Sequence, residues 1–470
     1  MNVCLLNDSF APVIDGVVNV VMNYADHLMR DHEAQVIVGT PKYPDADYSA
    51  YPYHVVPYPS FDTSALVHGY RAGNPFKARA VAELADFAPD IIHTHCPATA
   101  TVMARLLREQ TGAPIILTYH TKYDIDIERA VKNKLAAKEG IRAMINSIAA
   151  CDEVWVVSRG AGESLKALGF EGNYRVMSNG VDFEKGKADA KMVAEVTEGY
   201  DLPEGVPVFL FVGRIMTYKG LPMILDALKR VSEAGQDFRM VFVGKGPDRE
   251  LLEQKAEALG LMGSGAGPGK CIFVGPVYDR EKLRAWNTRA DLFLFPSTYD
   301  TNGLVVREAA ACGLASVLIE GSCAAEDVTH GRNGYTIEET PEAMAALLLE
   351  LCKNLDQVHA AGEKAMDEIV LLWRDCVSRA YDRYQVVLAE KRVGILKKRK
   401  TMTSDRLLSL TARFMEEYEH SRRIRKEVFH DFKETAVGMM ENMYEAGESV
   451  EKFWEKEAKA HRGIDFRRKR

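Results

Sequence analysis

The sequence predicts an α/β fold: two doubly wound, Rossmann-like parallel-sheet domains facing each other across a cleft, followed by a helical extension. Three observations carry this. Short apolar runs of strand length recur between segments of helical period, the rhythm pauses once and restarts, and strand signals vanish from Lys391 onward. Runs that are continuously apolar rather than alternating are those of parallel strands covered by helices on both faces.

In the first half, strands are expected at Val3–Leu6, Gln35–Val38, Ile91–His93, Pro114–Tyr119 and Glu153–Val157. After Asn179-Gly-Val-Asp182 comes a polar stretch, Phe183–Glu204, without strong periodicity. Strands resume at Val206–Val212, Arg239–Val243, Cys271–Val274, Asp291–Phe295 and Ala315–Ile319. The expected organisation is an N-terminal domain over residues 1–185 and a second domain over 186–365. A helix over 366–390 then crosses back to the first domain. A ligand is expected between the two sheets, beyond the carboxyl ends of their strands.

In the extension, residues 391–470, Leu407, Leu408, Phe414, Met415, Tyr418, Val428, Phe429, Phe432, Met439, Met440, Met443, Phe453 and Trp454 recur at helical spacing among charges. Lys397–Lys400 and Arg467–Arg470 are basic clusters at its start and end. Two readings stay open: a helical hairpin packed on the body or on a second subunit of a homo-oligomer, or an amphipathic anchor on an anionic membrane surface.

Length and composition agree with this layout. The chain has 470 residues, room for two or three domains, and 47% hydrophobic with 27% charged residues is globular rather than disordered. The net charge of −7 is uneven: from Lys391 on there are 21 basic and 14 acidic residues, so the tail carries +7 and the body −14. An acidic body argues against nucleic acid as a partner and leaves an anionic partner to the tail alone. Eight cysteines are scattered singly, without a C-x-x-C pair or the spacing of a disulfide framework. With no signal-peptide pattern and no apolar run of spanning length, a cytoplasmic chain is expected.

Three segments carry chemistry. Phe10-Ala-Pro-Val-Ile-Asp-Gly16 follows the first strand and opens a helix, where glycine lets backbone N–H groups approach an anion. Phe211-Val-Gly-Arg214-Ile-Met-Thr-Tyr-Lys219-Gly220 puts two cations on one loop beyond a strand, which suits a diphosphate leaving group. In Phe295-Pro-Ser-Thr-Tyr-Asp300-Thr-Asn-Gly303-Leu-Val-Val-Arg-Glu308, Asp300 lies in the loop after a strand and Glu308 about one turn into the following helix. One carboxylate then faces a sugar and the other a ribose, with the helix N-terminus between them aimed at phosphate. His93, His95 and His120 fall at strand carboxyl ends, and His120 is expected to line the site. Two look-alikes are set aside. Gly263–Lys270 is followed by Cys271 and precedes a strand, so it reads as a loop and not a phosphate cradle. Asp124 and Asp126 read equally well as a helix start and as a metal pair.

Taken in order, these segments resemble the family-four retaining glycosyltransferases of the two-Rossmann GT-B fold. The matching pieces are Phe10–Gly16, His93-Thr-His-Cys-Pro97, Thr118-Tyr-His-Thr121, Ser178-Asn-Gly-Val-Asp182, Val212-Gly-Arg214 with Lys219-Gly220, Val243-Gly-Lys-Gly-Pro247 and Asp300-x7-Glu308. The likeness covers roughly residues 1–390. It implies that Arg214 and Lys219 bind the diphosphate of a sugar nucleotide and that Glu308 holds the ribose. Asp300 and the Asn302, Gly303 and Leu304 backbone would hold the sugar, Gly16 would approach the phosphates from the other domain, and His120 would contact the donor sugar. It further implies no cofactor and no metal, with cations and helix termini neutralising the leaving group. In retention by front-face attack, the acceptor hydroxyl passes its proton to the departing phosphate.

One departure stands out: the family motif opens with Glu where this chain has Asp300, one methylene shorter. In wording, Pro296–Leu304 and Thr118–Tyr123 look most like the diacylglycerol glucosyltransferases. Lys132, Lys134, Lys138 and Arg142 lie among Ala, Ile and Leu in the first domain, a stretch that reads either as an ordinary solvated helix face or as a basic amphipathic surface for a membrane. The expectation is a peripheral enzyme on the inner face of the cell membrane, moving glucose from UDP-glucose to a lipid such as diacylglycerol. The alternatives are an α-mannosyltransferase acting on phosphatidylinositol or a soluble glycan, a sugar-nucleotide epimerase, and a weakly active sugar-nucleotide-binding scaffold.

Overall fold

The computed structural model describes residues 1–13, 15–63, 71–121, 133–263, 269–396 and 405–424. Asp124, Asp126, Lys132, most of the Gly263–Lys270 loop and both basic clusters of the tail lie outside the described residues.

The first domain is built on strands β1 (Asn2–Leu6), β2 (Gln35–Pro41), β3 (His54–Tyr58), a small antiparallel pair β4 (Ser60–Asp62) and β5 (Arg71–Gly73), then β6 (Ile91–Thr94), β7 (Ile115–Tyr119), β8 (Glu153–Val156) and β9 (Arg175–Val176). Its main sheet has the order β3-β2-β1-β6-β7-β8-β9 and every pairing is parallel. The second domain comprises β10 (Val208–Val212), β11 (Arg239–Val243), β12 (Cys271–Gly275), β13 (Leu292–Phe295), β14 (Ser316–Ile319) and β15 (Tyr335–Ile337), in the order β12-β11-β10-β13-β14-β15, again all parallel. In each sheet the chain winds outward in both directions from a central pair, β1 beside β6 and β10 beside β13. At such a switch point the loops after the two strands diverge and open a crevice, where doubly wound sheets take ligands.

The ten predicted strands lie where the apolar runs place them; nine are buried along most of their length, while β12, at the edge of the second sheet, keeps Ile272, Phe273 and Val274 only half-buried. Two details differ from expectation. The Phe183–Glu204 stretch contains a helix, Ala190–Thr197, capped by Asp189; none of its residues is fully buried, and its short apolar side of Met192, Val193 and Val196 is half-buried, with Val196 packed on the second-domain core. The crossing helix is Trp373–Arg392, because residues 366–368 still belong to the Leu355–Glu368 helix.

The crossing helix buries Trp373, Val377, Ala380, Tyr384 and Val387 against Val18, Val21, Tyr24 and Leu28 of the Gly16–His32 helix. The two connectors between domains pair with each other: Val181 N donates to Leu371 O at 2.9 Å and Trp373 N to Val181 O at 3.3 Å. Gly180 permits this approach, since a side chain there would strike the Trp373 backbone. Residues 405–424 form a further helix, and this part of the extension packs on the first domain. Leu408, Ala412 and Met415 join the core beneath the sheet, and Arg105 Nη2 meets Asp405 Oδ1 at 2.7 Å in a buried pair. Among the described residues no helix is long and apolar enough to cross a membrane.

Candidate functional site

The β10/β13 crevice gathers the chemistry. β10 ends at Gly213 (φ +150°), after which the loop lies directly on the loop following β11: Gly213 N donates to Val243 O at 3.0 Å and Ile215 N to Lys245 O at 3.0 Å. A side chain at Gly244 or Gly246 would collide with the Gly213 or Ile215 carbonyl, which explains the glycines of Val243-Gly-Lys-Gly. Thr217 is pinned by Asp248 Oδ2, at 2.7 Å from its N–H and 2.9 Å from its hydroxyl. The short turn Thr217–Lys219 then delivers Lys219, and Gly220 (φ +77°) backs onto the Pro296 carbonyl, leaving no room for a side chain.

Lys219 Nζ donates to both oxygens of Asp300, at 2.9 and 3.0 Å, and lies 5.4 Å from the Phe295 ring centroid. Ser297 Oγ donates to Asp300 Oδ2 at 2.5 Å. Arg214 is exposed on the same loop and has no side-chain partner among the described residues. Sequence reasoning assigned Lys219 to a diphosphate and Asp300 to a sugar; in the fold these two groups face each other.

The loop after β13 reaches the other domain. Thr301 Oγ1 donates to the His120 carbonyl, and Asn302 Nδ2 donates to Val157 O at 2.8 Å. Gly303, left-handed at φ +58°, starts the Leu304–Ala311 helix, whose N-terminus carries no side-chain cap. No side chain therefore satisfies its first amides, and the positive end of the helix dipole stands behind them. The Gly16–His32 helix is different. Asp15 accepts from Val17 N and Val18 N, both at 2.8 Å, and receives Ser9 Oγ at 3.2 Å. Gly16 itself borders open space, but a carboxylate already fills the anion position that the sequence reading left for phosphate.

Glu308 is largely buried one turn into the Leu304–Ala311 helix, and burial raises its pKa above the usual carboxylate value while Arg280 opposes the rise. Arg280 Nη2 lies 2.6 Å from Glu308 Oε1 and 3.5 Å from Asp182 Oδ2. Its guanidinium sits 4.4 Å over the Phe183 ring. The sequence reading missed Arg280; a cation at the start of a helix is too common a feature to single out.

Across the crevice, His120 Nε2 and His95 Nδ1 share a hydrogen bond at 3.0 Å, and His120 Nδ1 has no partner among the described residues. Burial lowers the His120 pKa to about 3 and that of His95 well below the ordinary value, so both are neutral at physiological pH. His93 belongs to the core: its nitrogens bond Tyr384 Oη at 2.6 Å and Thr118 Oγ1 at 2.7 Å. No group of three His, Cys, Asp or Glu side chains is gathered as for a metal ion among the described residues.

Two parallel-sheet, Rossmann-like domains that meet at a crevice are the architecture of the GT-B fold. Residues 14–185 match the family described as Glycosyltransferase Family 4 and residues 194–367 match Glycosyl transferases group 1. The chain belongs to this family of glycosyltransferases.

Among curated relatives, it is 28% identical to sulfoquinovosyl transferase SQD2 of Arabidopsis thaliana over 55% of this chain, spanning about half (48%) of that protein's length. It is 28% identical to a GDP-mannose-dependent α-(1-6)-phosphatidylinositol dimannoside mannosyltransferase of Mycobacterium tuberculosis, over 59% of this chain and 68% of the other. It is 24% identical to the α-monoglucosyldiacylglycerol synthase of Streptococcus pneumoniae, over 67% and 70% of the two chains. Anabaena HepE, solved with UDP-glucose, superposes with a TM-score of 0.62 at 18% identity, over 83% of this chain and all of that one.

Proposed function

We propose that this chain is a retaining hexosyltransferase that moves glucose from UDP-glucose to a lipid acceptor such as diacylglycerol, at the cytoplasmic face of a membrane. The observation that carries the reading is the Lys219–Asp300 pair beside the uncapped Leu304 N-terminus at the β10/β13 switch point. In this reading Lys219, Arg214 and the Leu304 helix N-terminus take the diphosphate, and Asp300 turns one oxygen to the sugar. Glu308 accepts from the ribose hydroxyls. As the bond from the anomeric carbon to the β-phosphate oxygen breaks, the acceptor hydroxyl attacks from the same face and gives its proton to that phosphate oxygen. No protein nucleophile and no metal takes part, since fixed cations stabilise the charge that develops on the leaving group. Neutral His120 donates or accepts a hydrogen bond at the sugar without changing charge.

The lipid acceptor is supported by the diacylglycerol and phosphatidylinositol named in two relatives. It is also supported by the exposed apolar stripe of Leu407, Leu410, Phe414 and Tyr418 on the docked helix of the extension. The mycobacterial relative favours a second reading, a mannosyltransferase using GDP-mannose. Transfer of label from UDP-glucose, UDP-galactose, UDP-N-acetylglucosamine and GDP-mannose into chloroform-extractable product on diacylglycerol vesicles separates them. Arg214→Ala and Glu308→Gln are the controls. Label from one donor, lost in both variants, supports the reading. Donor hydrolysis without labelled lipid removes the lipid acceptor.

A further inference from the structure

We propose that Arg280 is a positioning residue of the donor site: by holding one oxygen of Glu308 it turns the other toward the ribose, and so sets the preference for a ribonucleotide over a 2′-deoxyribonucleotide. The inference rests on the sugar-nucleotide reading above and adds to it a residue that none of the recognised segments contains.

The geometry is specific. Glu308 Oε1 takes the 2.6 Å bond from Arg280, while Oε2 accepts no hydrogen bond among the described residues. A largely buried carboxylate is costly to ionise without a cation at hand, and Arg280 is the cation that reaches it. Arg280 is itself fixed from three sides. Its backbone opens the Arg280–Arg289 helix, whose cap Asp279 accepts from Glu281 N at 2.9 Å and Lys282 N at 3.1 Å. Phe183 lies under the guanidinium, and Asp182 Oδ2 stands 3.5 Å away. Asp182 and Phe183 belong to the connector from the first domain, so the carboxylate's aim is referenced to the domain junction as well as to its own helix. A planar guanidinium stacked on a ring cannot rotate freely, which a lysine ammonium in its place would do.

The test compares binding of UDP with 2′-deoxy-UDP, and of GDP with 2′-deoxy-GDP, by calorimetry on the full chain. The proteins are wild type, Arg280→Ala, Arg280→Lys, Glu308→Gln and Arg280→Ala/Glu308→Gln, with melting temperatures recorded for each. A hydrogen bond to a charged group predicts that wild type prefers the ribonucleotide by about tenfold or more. Arg280→Ala should abolish most of that preference by weakening the ribonucleotide alone, Arg280→Lys should restore part of it, and the double variant should bind no worse than Glu308→Gln.

Equal weakening of ribo and deoxyribo nucleotides, or additive losses in the double variant, overturns the inference in favour of a direct phosphate contact. Binding of neither nucleotide by wild type overturns the donor-site reading and this inference with it. If Arg280→Ala does not fold, the ribo-to-deoxyribo ratio of Arg280→Lys decides: a ratio unchanged from wild type overturns the proposal.

Discussion

Lys219 and Asp300 face each other across the β10/β13 switch point, with Nζ 2.9 and 3.0 Å from the two carboxylate oxygens although 81 residues separate them in sequence. The loop cation is balanced by the loop anion, so in the proposed donor site a diphosphate would share the ammonium with Asp300. The shorter Asp side chain suits that arrangement: Ser297 and Lys219 together hold its carboxylate close to the β13 end, where the longer Glu of the family would project further into the crevice.

Lys219→Ala is expected to lower kcat/KM for the donor by about 10²- to 10³-fold, the range seen when one preorganised donor to a developing oxyanion is removed. Melting temperature should also fall, because the pair is largely buried, with Lys219 12% and Asp300 25% exposed, and the substitution leaves the Asp300 carboxylate without its cation. Steady-state kinetics with thermal melts checks this. A loss below about tenfold would mean that Arg214 and the Leu304 amides carry the leaving group without Lys219.

His120 supplies a stability prediction. Its pKa is 6.5 in the unfolded chain and about 3 in the fold. Below pH 6.5 the unfolded chain therefore takes up a proton that the native chain refuses. The neutral histidine's contribution is complete above pH 6.5 and is lost as pH falls toward 3, by up to about 1.4 kcal/mol per pH unit. His120→Gln should flatten the acid limb of stability by about that slope, read from urea midpoints at pH 6.5 and pH 5. Parallel curves for variant and wild type would show that His120 titrates normally in the native state.

What was legible in the sequence follows from what each feature needs. Central strands such as Val208–Val212 announce themselves because burial on both faces forces a continuous apolar run. Of the edge strands, Cys271–Gly275 was legible from its apolar run, but two others were not: Arg175–Val176 is two exposed residues, and His54–Tyr58 carries Pro57 and an exposed His54. Asp300, Glu308 and Lys219 could be found because loop-plus-helix spacing is local. The partner of Glu308 could not, nor could the pairing of Lys219 with Asp300, since Arg280 reaches Glu308 and Asp182, and Lys219 reaches Asp300, only once the second sheet is assembled. The capping of the Gly16 helix by Asp15 was readable from Asp preceding the helix, a standard N-cap, but the glycine drew the reading toward phosphate instead.

The docking of the 405–424 helix rests on a buried ion pair, Arg105 Nη2 to Asp405 Oδ1 at 2.7 Å, beside Leu408 and Met415. Asp405→Ala removes the carboxylate from a buried guanidinium and should cost about 3–5 kcal/mol of docking. Hydrogen exchange across 405–424 should accelerate, while exchange in the second-domain core stays unchanged. Arg105→Met/Asp405→Leu, which replaces the pair by apolar groups, should recover most of the protection; no recovery would locate the docking energy elsewhere.

The same helix presents a second face. Leu407, Leu410, Phe414 and Tyr418 are each at least half exposed, while Leu408, Ala412 and Met415 point into the domain, so two apolar stripes run side by side and only one is covered. Phe414 and Tyr418 border a groove of about 520 Å³ whose other wall includes Phe76, Lys77 and Arg79, and Arg422 lies at its edge. Arg422 is paired with Glu419, which also lines the groove, so Lys77 and Arg79 are the cations beside these apolar side chains, an arrangement that suits the headgroup region of an anionic bilayer. Burying a leucine or phenylalanine contributes about 1.5–3 kcal/mol, so Leu410→Asp/Phe414→Asp should reduce flotation with phosphatidylglycerol–diacylglycerol vesicles by about tenfold or more. Nucleotide binding should remain as in wild type, because neither residue is near the crevice loops. Wild-type flotation should also weaken with added salt as the cations are screened. Flotation unchanged by the double substitution would remove this face as the membrane contact. A dimeric wild type that the substitutions turn monomeric, measured by light scattering, would assign the stripe to a second copy of the chain.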